Sequence, residues 1–113
     1  MTDIKLTKES EYILTAMYKE FLNRYNNGIP RDKAKVFGHQ ENILALVPEI
    51  PEQDITGLLA ELKDQEMIVT SSGSDISYFV NLTTKAIVFM ENRVGTKVSE
   101  VIKALANIKS LFA

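Results

Sequence analysis

The hydrophobic period of this chain breaks twice. Up to Gln65 the apolar residues recur at helical spacing, from Met67 to Leu82 they alternate, and after Thr83 the helical spacing returns. A period-two pair of segments set between helices restricts the fold to helices packed on a small hairpin. Met67-Ile68-Val69-Thr70 reads as the first strand and Ser71 to Asp75 as the turn. Ile76, Tyr78, Val80 and Leu82 alternate with Ser77, Phe79 and Asn81, the pattern of a half-buried second strand.

The flanking segments carry helix signals. Thr7 suits the cap of a helix from Lys8 to about Asn26, with Glu9 and Glu11 in the first turn. Tyr12, Ile13, Ala16, Met17, Phe21 and Tyr25 form its stripe, and Asn27-Gly28 followed by Pro30 ends it. Residues Ile29 to Phe37 read as a loop. A shorter second helix runs from His39 or Gln40 to Val47, burying Ile43, Leu44 and Val47. Pro51 opens a third, with Ile55, Leu58, Leu59 and Leu62 as its stripe through about Gln65. Thr83 caps a fourth helix, with Leu82 and Ile87 placed as a hydrophobic staple, and Gly95 ends or bends it. A last helix spans Lys97 to about Leu111. With 113 residues there is room for one core. The expected organisation is a domain over residues 1–95 and a C-terminal helix over 96–113, either self-packed or dimerising.

Helix–helix–helix–hairpin–helix resembles the winged helix-turn-helix superfamily, in plan the small bacterial or phage-associated regulators of the MarR and PadR types. The residues that carry the likeness are Ile43 to Ile50 for the second helix and turn, and Asp54 to Ile68 for the third helix running into a wing strand. The resembling proteins often end that helix in a Leu-x-x-x-Gly-hydrophobic pattern, and Glu66 stands here at the glycine. Tyr78 to Ile87 is similar to the strand and "LTxxG" step that closes many wings, with Ala86 at the glycine. The resemblance implies a mainly α fold with a small β-hairpin, and a third helix docked in the major groove of DNA.

Charge argues against that docking. Residues 1–37 hold seven Lys/Arg and five Asp/Glu; residues 38–82 hold only Lys63 against eight acids; residues 83–113 hold five bases and two acids. Glu52 and Asp54 fall in the first turn of the third helix. They suit helix capping, yet they would meet phosphate at close range. If the chain binds DNA as a transcription regulator, the contacting residues are Gln53, Thr56, Gly57 and Lys63, supported by Arg31, Lys33 and Lys35 in the loop. Otherwise Glu52, Asp54, Glu61 and Asp64 form an acidic face for a protein partner. Gly57 permits close approach of the second helix or of a partner.

Val98, Val101, Leu105, Ile108 and Phe112 fall at heptad spacing, widened by Ile102 and Leu111. That stripe is wide enough for two neighbours, its own domain and a second copy, so a homodimer through Val98, Val101, Ile102, Leu105, Ile108 and Phe112 is expected.

No enzyme, cofactor or metal is expected. The chain has no cysteine and one histidine, His39, read as an exposed residue at a helix start. A hydrogen-bonded pair with Asp32 or Glu41 is open to it, though the sequence does not fix that geometry. The five glycines are dispersed, leaving no phosphate-cradling loop. Tyr12, Phe21, Tyr25, Phe37, Phe79 and Phe89 are expected in the core. The longest apolar runs are five residues, too short for a membrane span, and Met-Thr-Asp-Ile-Lys is no secretion signal, so a cytoplasmic protein is expected.

Overall fold

Thr7 starts the first helix as the sequence implies: its hydroxyl accepts the Ser10 N–H at 3.2 Å. In the computed structural model, which describes residues 5–73 and 76–112, that helix, α1, spans Lys8–Asn26 and stops at Gly28, whose φ of +91° is one that L side chains rarely adopt. Its stripe is wider than the spacing predicts. Every residue from Tyr12 to Tyr18 is buried, Leu14, Thr15 and Tyr18 included. A helix buried on all sides is central, not peripheral. The domain covers one side of α1, and the C-terminal helix covers another. Tyr25, expected in the core, is 48% exposed, because the last turn of α1 overhangs the core.

The expected loop over Ile29 to Phe37 is structured. It holds a short helix α2, Arg31–Ala34, and a strand β1, Val36–Gly38. Arg24 fixes this stretch to α1, donating from Nη1 to the Val36 carbonyl at 2.7 Å with its guanidinium 4.5 Å from the Phe37 ring centroid. Helix α3 is Gln40–Leu44, shorter than expected, and a 3₁₀ turn, Glu52–Asp54, precedes helix α4, Ile55–Asp64. Strand β2 runs Ile68–Gly73 and β3 runs Ile76–Leu82, so Ser71 to Gly73, expected as turn, lie in strand. The rest of the expected turn, Ser74 and Asp75, lies outside the described residues. Helices α5, Thr84–Val94, and α6, Val98–Lys109, follow, and a 3₁₀ turn, Ser110–Phe112, continues α6.

The sheet is antiparallel in the order β1-β3-β2. Val36 and Val69 both lie opposite Asn81, one from each side. Between Val69 and Ser71 the register slips by one residue, and Phe79 takes φ +53° there. This bulge turns Phe79 outward, 68% exposed, while Val80 beside it is fully buried. Phe79 is therefore not a core aromatic.

The end of α4 and the start of α5 are locked together. Glu66, at φ +63°, donates its N–H to Lys63 O at 2.9 Å, and Met67 donates to Leu62 O at 2.9 Å. This is a Schellman closure with glutamate in the left-handed position. Thr83 caps α5 by accepting the Ala86 N–H at 3.0 Å, and donates its hydroxyl to Glu66 O at 2.7 Å. Leu82 and Ile87, the expected staple pair, are both buried.

Helix α6 lies along α1. Val101 is fully buried, and Val98, Leu105, Ile108 and Phe112 pack on the same core. Of the residues expected to pair two copies, only Ile102 is exposed, at 47%. A clasp closes the end of the helix. Phe112 lies 5.1 Å from the Tyr12 ring, Tyr12 Oη donates to Glu49, and Lys109 pairs with Glu49 at 3.3 Å. The Tyr12 hydroxyl holds the Glu49 carboxyl below its ordinary range, with Lys109 assisting against the desolvation that opposes it. Burial, then Glu49 itself, pushes the Tyr12 phenol up. Burial, with Glu91 nearby, also pushes Tyr18 up to about 12, and its hydroxyl donates to Gly95 O at 2.7 Å.

Candidate interaction surfaces

Helix α4 divides the surface around it by sign. Its apolar stripe, Ile55, Leu58, Leu59 and Leu62, faces inward as expected. Its outer side carries Glu61 and Asp64, and the 3₁₀ turn before it, not its first turn as expected, carries Glu52 and Asp54; all four are exposed. Asp54 sits at the N-cap without a side-chain capping hydrogen bond, so its carboxylate is left for solvent or a partner. Glu61 is committed locally: its Oε1 accepts from Ser10 at 2.9 Å and Thr7 at 3.1 Å, tying α4 to the start of α1. Among the described residues, no cation lies within ion-pair distance of Glu52, Asp54 or Asp64.

Two shallow hollows flank this face. One, of about 450 Å³, lies between α3 and the 3₁₀ turn and takes in Glu41, Leu44, Glu52, Gln53 and Thr56. The other, of about 370 Å³, lies toward α1 and takes in Glu9, Gln53, Asp54 and Gly57. Gln53 joins them. Thr56 faces Gln40 at 3.4 Å across the first hollow, so it helps hold α3 against α4. The hollows add Glu41 and Glu9 to the acidic surface. Neither was recognisable in the sequence, because α1, α3 and α4 meet only through the fold.

Gly57 does not serve a close approach of α3, the first of the two roles expected of it. A Cβ built there meets nothing within 4 Å, so α3 does not need the space.

The candidate cations do not gather on α4. Arg31 and Lys33 are exposed on α2, and Lys35 is half-buried just before β1. Lys63 lies at the far end of α4, sharing a third hollow, of about 440 Å³, with Lys85, Val69 and Thr70. The two groups thus stand near opposite edges of the sheet, β1 and β2, two strand spacings or roughly 10 Å apart. Among the described residues neither Lys63 nor the Arg31, Lys33, Lys35 group makes an ion pair, whereas Lys85 pairs with Glu66 at 3.4 Å.

His39 caps α3, its Nδ1 accepting the Glu41 N–H at 3.1 Å. Among the described residues, no three His, Asp or Glu side chains cluster as metal ligands. No described helix is long and apolar enough to cross a membrane. Compared with protein families, curated proteins and solved structures, the chain has no significant match.

Proposed function

We propose that this chain is a cytoplasmic winged-helix domain that acts by docking, without catalysis, and that its contact surface is the acidic outer side of α4. The element order, with β1 placed between α2 and α3 and paired to β3, supports the winged-helix plan. One observation carries the choice of surface: Glu52, Asp54 and Asp64 are exposed at the helix that reads DNA in the resembling proteins, and no described cation pairs with them. A surface of this sign suits a basic protein and repels phosphate. Charge reversal at Glu52 and Asp54 together should abolish capture of a basic partner while lowering the melting temperature by only a few degrees, the loss of roughly 0.3–1 kcal/mol per charge at a helix start. Undiminished capture overturns the proposal.

A second reading rests on Arg31, Lys33 and Lys35. They lie close together on the α2–β1 segment without ion-pair partners among the described residues, and they suit the backbone of duplex DNA. A mobility-shift titration separates the two readings. Contacts through these few cations give binding to random duplex at about 50 mM salt that is lost by about 200 mM. Absence of binding at the lower salt removes the DNA reading.

A further inference from the structure

The hollow shared by Lys63 and Lys85 lies along β2, and β2 is an edge strand with β3 as its one neighbour in the sheet. An antiparallel edge turns every second backbone N–H and C=O away from its neighbour, toward whatever lies beside it. A hollow of about 440 Å³ lies against the start of this strand, lined by Ile68 and Val69 together with Lys63, Glu66, Thr83 and Lys85. Apart from the bulge opposite Thr70, the strand lacks the usual protections of charge and proline. Its sequence, Ile-Val-Thr-Ser-Ser-Gly, contains no charge and no proline. Val69 is 53% exposed on it, while Ile68 faces the core.

We propose that the β2 edge receives an extended peptide segment as an added strand, and that the segment is acidic at its flanks and apolar between them. The rim selects the charge. Lys63 has no ion-pair partner among the described residues, and Lys85 has only an exposed contact with Glu66, whose carboxylate is 75% exposed. Main-chain hydrogen bonds to β2 supply the registry, the apolar residues of the segment cover Val69, and its carboxylates meet the two lysines. A second copy of this chain is the poorer occupant. Pairing β2 with its own twofold mate brings Lys63 and Lys85 of both copies toward the same seam, where like charges repel. This surface is distinct from the acidic side of α4 and differs from it in sign.

The test uses the full chain and a blocked heptapeptide with three central valines between paired glutamates. Amide chemical shifts should move along Ile68 to Thr70. Lys63→Glu and Lys85→Glu together should weaken binding at least tenfold. A peptide of the same sequence with N-methylated valines, which lacks the main-chain donors, should not bind. Three results overturn the proposal: equal binding of the N-methylated peptide, equal binding of a version with lysine in place of glutamate, or shifts confined to other elements. The lysine variants lie on the surface, so an unchanged melting temperature verifies that they fold.

Discussion

Glu66 holds a backbone conformation that side chains resist. At φ +63° it occupies the residue after the α4 cap, where the left-handed region costs a non-glycine residue roughly 1–2 kcal/mol. Its one side-chain contact of note is the exposed ion pair with Lys85, which offsets little of that cost. Glu66→Gly should therefore stabilise the protein by about 1 kcal/mol, raising the melting temperature by about 4 °C. A lower melting temperature would mean that the carboxylate contributes more than its exposure allows. The position was legible from sequence, since the Leu-x-x-x-Gly pattern marks it; the conformation itself was not, because glutamate gives no local signal for φ above zero. Phe79 is the parallel case. Its alternation in the strand pattern placed it outward, whereas its aromatic character placed it in the core, and the alternation was the better guide. Gly57 shows the limit from the other side: a glycine inside a helix suggests a close neighbour, but within the chain the space beside it is open, so α3 is not that neighbour.

Among the elements, those whose signal repeats were readable and those made by pairing were not. Helices α4, α5 and α6 run about three turns each and α1 more than five, long enough for their stripes and caps to show. Strand β1 has three residues, and it exists because Asn81 and Val80 of β3 offer an edge to Val36 and Gly38. No window of its own sequence contains that fact. The wide burial of α1 has the same origin, because α6 folds back along it and brings Phe112 onto Tyr12. The clasp among Tyr12, Glu49 and Lys109 makes that return dependent on pH. Glu49 is more acidic in the folded chain than in the unfolded one, so its contribution is complete above the unfolded carboxyl value of about 4.3 and is lost as pH falls below it. Tyr12 shifts the other way. The folded chain keeps the phenol proton, so stability falls as pH rises above about 10, where the unfolded phenol ionises. Urea midpoints measured across the range should therefore drop at both ends. Glu49→Gln should flatten the acid limb chiefly, and Tyr12→Phe should flatten both. An acid limb unchanged by Glu49→Gln would place the acid sensitivity elsewhere.

At the scale of the whole molecule, the question is what remains for α6 to offer a second copy. The heptad seam was plain in the sequence, but a seam does not say which surface fills it. In the fold α1 fills it: Val101 is fully buried, and Val98, Leu105, Ile108 and Phe112 pack against the same core. Ile102 at 47% and Leu111 at 59% exposure are the large apolar side chains left on this segment. Two such side chains fall well short of the roughly 800 Å² per partner that stable interfaces bury. Pairing through the seam would require α6 to leave α1, stripping Phe112 from Tyr12 and breaking the clasp at Glu49. That cost greatly exceeds what Ile102 and Leu111 return on burial, each contributing roughly 1.5–3 kcal/mol at most. Light scattering at a concentration of about 100 μM, far above what a tight dimer needs, should accordingly give a mass near the 12.7 kDa of one chain. Ile102→Glu should leave that mass and the melting temperature unchanged. A doubled mass that Ile102→Glu returns to one chain would establish instead that α6 carries a partner copy on its outer side while keeping its inner side on α1.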